Sequence, residues 1–459
     1  MTPPTTEAAP PLPTDRLERA LAAWLPWQRW YAGKGRALTG VRLVRSAPVP
    51  LPDNRQDLRG FVLVLRAEFA DGGADHFQTV VALAGTVPDA AAGHVIAALD
   101  DLVVYEAVAD PVLLRALFRL VAGRQRSGDL AGTSEPAPDS ARFATHPVGD
   151  CRPLGVEQSN TSVVVDDRYL VKFFRRLHPG VNPDLEVQRA LLAHGSGRAA
   201  PVYGAVEGSL GDAPVTLAVI QRFLPGAPDG WSVVTRALEQ GATGDLLTEA
   251  HRMGRTVARV HTALADAFGT VELTPPRLAA LAAEMRRQLA EARTAVPELD
   301  PLAGDLTDAF DAVAALPGGA TAQRIHGDLH LGQLLRGDAG WVVIDFEGEP
   351  ALPIPERTVP HSPLRDVAGM LRSFDYAADL AVRPGPAGDP AQPPPSARAQ
   401  DAFCRGYAAQ AGTDPRDQRP LLYACVLHKA VYETLYEARH RPALRHVPLR
   451  ALARMLGRT

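Results

Sequence analysis

A chain of 459 residues is too long for one small domain and predicts two or three folded units. A net charge of −4 gives no electrostatic reason to expect nucleic acid or an anionic membrane as a partner, and 46% hydrophobic with 22% charged residues is the balance of a globular enzyme. Cys151, Cys404 and Cys425 lie far apart, match no metal spacing and fit a reduced, cytoplasmic setting. No run approaches the roughly 18 apolar residues of a membrane span.

Residues 1–14 have neither a basic start nor an apolar run and read as a disordered tail, not a signal peptide. Leu17, Leu21, Trp24 and Leu25 recur at helical spacing, predicting a short amphipathic helix that ends near Pro26. The aromatic, basic, glycine-rich run from Gln28 to Arg36 either packs its rings on a neighbouring sheet or offers a basic loop to a ligand. Residues 60–69 and 76–83 read as strands in hairpin order. Residues 103–121 read as a strand or turn leading into a helix, and 122–140 as a loop. From Cys151 the pattern is one of short strands, at 152–157, 163–165, 169–174 and 214–223. Between them, Asn182-Pro183-Asp184 is a helix start, with Asn as cap and Pro at the first helical position. After Trp231 amphipathic helices dominate, at 246–264, 278–295, 302–316, 364–380 and 421–440. Residues 383–398, rich in Pro, Gly and Ala, read as a surface loop.

Two motifs interrupt the helices. Asp328 follows an apolar lead-in, Gln333 comes five residues later, and Asp345 ends the apolar strand 341–344. An Asp-x-x-x-x-amide element followed by strand-Asp-Phe parallels the catalytic and metal loops of protein kinases. Phosphoryl transfer needs a carboxylate at the acceptor hydroxyl, hard oxygen ligands for magnesium and a cation on the phosphates. Asp328 is therefore the expected base or orienter, with Gln333 and Asp345 on Mg2+ and Glu347 assisting. Lys172 in an apolar strand is the expected phosphate cation, with Glu186 on the next helix as its ion-pair partner. The run from Gln158 through Ser159, Asn160, Thr161 and Ser162 lies between strands where kinases place a phosphate loop. Gln221 and Phe223 end a strand where a hinge would hold adenine by backbone groups. His326 and His330 lack zinc spacing and read as residues that orient the loop, with His330 also placed at the acceptor.

The motif from His326 to Gln333, followed by Ile344-Asp345-Phe346-Glu347-Gly348-Glu349-Pro350, resembles the bacterial maltokinases, relatives of aminoglycoside phosphotransferases. Gln28 to Arg36 resembles that family's N-terminal cap, Ser362 to Phe374 its segment after the metal site, and Lys429 to Arg439 its sugar-binding helix. The resemblance implies an α+β, bilobal, protein-kinase-like fold. It would comprise a tail (1–14), a cap subdomain (15–100), a strand-rich N-lobe binding nucleotide (101–224) and a helix-rich C-lobe (225–459). It implies transfer from ATP, with Mg2+, to the anomeric hydroxyl of maltose, giving maltose 1-phosphate for α-glucan (glycogen) synthesis. Trehalose synthase is the partner that family context suggests. Tyr432, Glu433, Tyr436, Glu437 and Arg439 would lie on or near the sugar, aromatic faces covering pyranose C–H surfaces while charged groups satisfy hydroxyls.

The sequence departs from this pattern in the acceptor half. His428 stands where an acid is expected, His440 stands where Asn is expected, and the tryptophan after Pro442 is absent. A kinase for another acceptor, such as glucosamine, is therefore an open alternative. A catalytically dead, glycan-binding pseudokinase is opposed by the presence of Asp328, Asp345 and Lys172.

Overall fold

The structure is a computed structural model and describes residues 12–52, 57–155, 159–349, 352–381 and 393–458. The expected tail (up to residue 11), Gln158, Pro350 and most of the expected surface loop (382–392) lie outside the described residues. The chain divides into two compact units, Met1–Leu185 with Pro201–Pro225, and Glu186–Ala200 with Gly226–Thr459. The division at 225 lies one residue from the expected start of the helix-rich lobe. The expected cap and most of the strand-rich lobe fall together in the first unit, but Glu186–Ala200 of the expected lobe belongs to the second.

The first unit starts with α1 (Thr14–Trp24), whose buried face of Leu17 and Leu21 continues into Leu25. These leucines share a core with Leu63, Leu65 and Ala67, alternate residues of one strand face. That face belongs to an antiparallel sheet of β1 (Leu38–Pro48), β2 (Leu58–Phe69), β3 (Ala74–Ala84), β4 (Val95–Leu99) and β5 (Leu102–Glu106), in the order β1-β2-β3-β5-β4. Next, α2 (Pro111–Ala122) is capped by Asp110, whose side chain accepts from the N–H groups of Val112 and Leu113.

The second sheet contains β6 (Arg126–Ser127), β7 (Leu130–Ser134), β8 (Cys151–Pro153), β9 (Asn160–Val165), β10 (Tyr169–Phe174), β12 (Val202–Leu210) and β13 (Ala213–Arg222). Its order is β6-β7-β12-β13-β10-β9-β8. The short helix α3 (Ser140–Ala144) lies between β7 and β8 in the chain. The hairpin of β6 and β7 replaces the loop expected at 122–140. Its Gly- and Ser-rich sequence carries little strand signal, and it is held by pairing with β12. Gly132 of β7 is required there, because a Cβ would stand 2.1 Å from the Leu120 carbonyl oxygen of α2.

The two sheets are joined by β11 (Arg176–Leu177), which pairs with β3. Beside it the buried Arg175 guanidinium pairs with Glu106 at 2.7 Å, donates to Thr161 Oγ1 at 2.7 Å and lies 4.5 Å over the Trp30 ring. Trp30 and Tyr31 are buried against Phe77. The aromatics of the 28–36 run therefore pack on the sheet, and Arg36 is bound by Asp71 and Asp75.

Helix α4 (Pro183–Ala193) carries the chain into the second unit, which holds α5 (Gly230–Glu239), α6 (Thr243–Phe268), α7 (Pro275–Ala295), α8 (Ala303–Ala314), α9 (Ile354–Arg357), α10 (Leu364–Ala381), α11 (Pro395–Ala411), α12 (Arg419–His440) and α13 (His446–Met455). Two small antiparallel sheets accompany them, β14 (Thr270–Leu273) paired with β15 (Ala320–Gln323) and the hairpin of β16 (Leu334–Gly337) with β17 (Gly340–Val343). The backbones of α6 and α11 meet closely, since a Cβ on Gly406 would stand 2.0 Å from the His251 carbonyl oxygen. No described helix is long and apolar enough to cross a membrane.

Candidate active site

Asp328 sits in the loop between β15 and β16 of the second unit, and three buried side chains fix that loop. Asp366, at the start of α10, accepts from the main-chain N–H of His326 at 2.8 Å and of Gly327 at 2.9 Å, and meets His261 Nε2 at 3.0 Å. Gly327 has φ +89°, a conformation that glycine adopts without strain. His326 bridges to the second motif, its Nε2 lying 2.9 Å from the Ile344 carbonyl oxygen while its Nδ1 faces the Asp328 N–H at 3.3 Å. With Nε2 protonated, both contacts are hydrogen bonds. The expected role of His326 in orienting the loop thus has a geometric basis. Ser373 Oγ accepts from the Leu331 N–H at 3.1 Å, and a Cβ on Gly369 would stand 2.2 Å from the Leu329 carbonyl oxygen. Helix α10 therefore lies directly against the loop.

The second motif follows β17. Asp345 adopts φ +65°, and its Oδ2 accepts from Gln333 Nε2 at 3.2 Å. The main chain adds a bond from the Ile344 N–H to the Gln333 carbonyl at 3.0 Å. A carboxylate oxygen of Asp345 lies within 4.8 Å of one from Glu347. The donor set of two carboxylates and the remaining amide oxygen of Gln333 suits a hard divalent cation.

Asp328 is partly exposed and its Oδ1 accepts from Lys429 Nζ of α12 at 3.0 Å. Burial pushes the Asp328 carboxyl up, but Lys429 and the flanking histidines outweigh it and hold it below the ordinary carboxylate range. Burial pulls the Lys429 ammonium down, yet Asp328 and Tyr432 more than offset this and raise it. Burial also lowers His330, whose Nδ1 accepts from the Gly332 N–H at 3.1 Å.

Asp328, His330 and Lys429 face a cleft of about 400 Å³. Its aromatic wall includes Trp231 and Tyr376, with ring centroids 6.1 Å apart, and Tyr432 and Tyr436 of α12, 6.4 Å apart. Glu433 and Glu437 lie one helical turn apart on the same face. Arg372, fully buried, donates to Glu433 Oε2 through Nη2 at 2.7 Å and Nε at 3.1 Å. Tyr376 Oη donates to Glu437 Oε1 at 2.9 Å, and Arg441 pairs with the same carboxylate. Arg439 stands apart from this group. It is exposed, pairs with Glu291 of α7 at 2.8 Å and lines a different cleft.

In the first unit, Lys172 of β10 is buried and pairs with Asp184 Oδ2 at 3.1 Å. The acid was expected to be Glu186. Two residues further along α4, Glu186 pairs instead with Arg324, because a two-residue step turns a helical side chain to another face. Asn160 and Ser162 are buried in β9, with Ser162 opposite Lys172 in register and Ser159 exposed just before the strand. The Thr161 hydroxyl is bonded to Arg175 at the sheet junction. Gln221 is buried at the end of β13, between Leu170 and Val202, and the Phe223 N–H donates to the Arg168 carbonyl at 2.8 Å.

Sequence reasoning left Lys429, Asp366, Asp184 and Gly369 without roles. Lys429 precedes the recognised aromatic run, and a lysine on an otherwise buried helical face was the available signal. Asp184 was read only as part of a helix start, and Asp366 and Gly369 gave no signal because their partners in the 326–329 loop lie far away in the chain.

Residues 24–110 match the maltokinase N-terminal cap domain and residues 150–420 the phosphotransferase enzyme family. The chain is 31% identical over 448 residues to a glucosamine kinase of Streptacidiphilus jiangxiensis, covering 92% of this chain and 89% of that one. A glucosamine kinase of Mycolicibacterium smegmatis is 32% identical over 326 residues, 66% of this chain and 79% of its own. Among solved structures, a glucosamine kinase in complex with glucosamine, ADP and inorganic phosphate is similar with a TM-score of 0.69 at 26% identity, covering 98% of this chain and 100% of that one. A glucosamine kinase in crystal form B gives a TM-score of 0.71 at 27% identity, covering 96% of this chain and 99% of that one.

Proposed function

We propose that this chain, which belongs to the phosphotransferase enzyme family and carries a maltokinase N-terminal cap domain, transfers the γ-phosphoryl group of ATP to a hydroxyl of glucosamine. The observation that carries the acceptor is the likeness to a glucosamine kinase at 31% identity across 92% of the chain. The cleft beside Asp328 supports it. Tyr376 and Tyr436 offer faces to a pyranose ring, while Glu433 and Glu437 offer oxygens to hydroxyls and an ammonium group.

In this reading Asp328 Oδ2 accepts the proton of the acceptor hydroxyl. The acceptor oxygen forms its bond to the γ-phosphorus as the bond to the ADP oxygen breaks. The transition state is loose, so orientation of the hydroxyl matters more than the strength of the base. A carboxylate held in its ionised form suits that task. Asp345, Glu347 and the Gln333 amide oxygen would hold Mg2+, which neutralises charge on the phosphates when bound. Lys172, fixed by Asp184, is the residue proposed to meet the nucleotide phosphates.

Maltose is the second reading, supported by the cap match over residues 24–110 and the Asp345 to Pro350 run. Glucosamine, maltose, glucose, trehalose and an aminoglycoside, each incubated with ATP and Mg2+, separate the two. The expected result is metal-dependent turnover of glucosamine with a kcat/KM at least about tenfold above that of maltose. Phosphorus NMR of the product identifies the hydroxyl that is modified. Preference for maltose with an anomeric phosphate selects the second reading, and no transfer to any sugar overturns both.

A further inference from the structure

We propose that Lys429 is the positioning residue of the catalytic carboxylate: by binding Asp328 Oδ1 from α12, it turns Oδ2 towards the acceptor hydroxyl and keeps the carboxylate ionised. The inference rests on the sugar-kinase reading and assigns a residue to that same site.

Four observations support it. The Nζ to Oδ1 distance is 3.0 Å, and the two residues are 101 apart in the chain, so the contact is tertiary and not part of the loop's own turn. Among the described residues, Lys429 supplies the only hydrogen bond to the Asp328 carboxylate, on Oδ1. The ammonium is itself fixed, lying 4.8 Å from the Tyr432 ring centroid with Glu433 as a further attractive charge. Both members of the pair line the roomy cleft that holds the aromatic wall.

The electrostatic setting gives the contact its purpose. Around Asp328 stand His326 and His330 from its own loop, Lys429, Tyr432 and Glu433 from α12, Glu349 beyond β17 and Arg365 of α10. Glu349 is a second acid close enough for its negative charge to oppose that of Asp328. Without a cation in contact, a half-buried carboxylate beside Glu349 would take up a proton more readily. Protonated Asp328 would no longer accept from the acceptor hydroxyl. Lys429 also leaves the pair neutral overall, which eases the approach of an anionic phosphoryl group.

The test uses the full chain with Lys429→Met, Lys429→Arg and Lys429→Gln. Carboxyl ¹³C NMR follows the titration of Asp328, its signal assigned by loss in Asp328→Asn. In Lys429→Met the Asp328 midpoint should rise by about one unit or more, and the acid limb of kcat/KM should move with it. In the same variant kcat should fall by about tenfold or more while the acceptor KM changes by less than about threefold. Lys429→Arg should restore the limb and most of kcat. If Lys429→Met melts far below wild type, Lys429→Gln, which keeps a donor but loses the charge, gives the same reading. An unshifted Asp328 midpoint in the uncharged variants overturns the proposal. The titration needs no turnover. Failure of wild type to phosphorylate any sugar would sink the kinase reading while the NMR still decides whether Lys429 controls Asp328.

Discussion

Asp328 and Glu433 face the same cleft but are held by different means. The Asp328 loop is fixed through its main chain, by Asp366 on the N–H groups of His326 and Gly327 and by Ser373 on that of Leu331. Among the described residues, Lys429 bonds one carboxylate oxygen of Asp328 and no hydrogen bond reaches the other. Glu433 is fixed through its side chain, by two bonds from an Arg372 guanidinium that has no exposed surface. Glu437 is held likewise by Tyr376 and Arg441. The loop side can lose the Asp328 carboxylate and keep its scaffold, whereas on the helix side the proposed binding groups and the scaffold are the same atoms.

This contrast sets opposite outcomes for the two acids. Asp328→Ala should lower kcat by about 10³-fold, roughly 4 kcal/mol of transition-state stabilisation, with little change in the urea unfolding midpoint. The Lys429 left behind is 24% exposed and regains water. Glu433→Ala should cost about 3 kcal/mol of stability, because it leaves a buried cation with only the longer contact to Asp375 and the charge of Asp379. Unfolding free energies of the two variants check the pair. Equal losses would mean that the two sides are built alike.

The same contrast explains what was legible in the sequence. The loop side is local. Asp328, Gln333, Asp345 and Glu347 lie within twenty residues and are brought together by one hairpin, so their spacing carried the reading. Helix periodicity likewise placed α6, α7, α8, α10 and α12, whose buried faces are long enough to repeat. The helix side is tertiary. Tyr432, Glu433, Tyr436 and Glu437 share a helical face by their spacing, but their partners Arg372 and Tyr376 come from α10, about sixty residues earlier. Arg439 was grouped with them by proximity in sequence, yet its position on the helix turns it to Glu291. The polar hairpin of β6 and β7 was missed for the same reason, since its strand character comes from pairing with β12.

Gly369 tests the scaffold of the loop side directly. A methyl group there meets the Leu329 carbonyl oxygen at 2.2 Å, backbone against backbone, so neither side-chain rotation nor a small shift relieves it. Gly369→Ala should push α10 from the loop, costing about 2 kcal/mol, and lower kcat by about tenfold through displacement of Asp328. Chemical denaturation and steady-state kinetics on one preparation read both effects. A fall in stability with kcat unchanged would show that the loop keeps its place without α10.

His428 is the departure from the family pattern that the structure places on the helix side, and its effect should be the smallest and depend on pH. It is buried on α12, its ring set edge-on to Phe310, and its Nε2 has no protein partner among the described residues. Burial pushes its imidazole down to about 3, with Arg365 and Lys429 adding to the effect. A folded value below the unfolded value of about 6.5 means that the unfolded chain binds the extra proton. The contribution to stability is therefore complete above about pH 6.5 and is lost as the pH falls towards 3. His428→Gln removes the titration. The gap in unfolding free energy between wild type and this variant should shift against wild type by on the order of 1 kcal/mol between pH 7 and pH 5. His361, lowered to about 4 mainly by burial, titrates in both proteins and cancels from the difference. A gap that stays constant with pH would mean that His428 is solvated or paired when charged, and the acceptor side of the cleft would then be wetter than its packing shows.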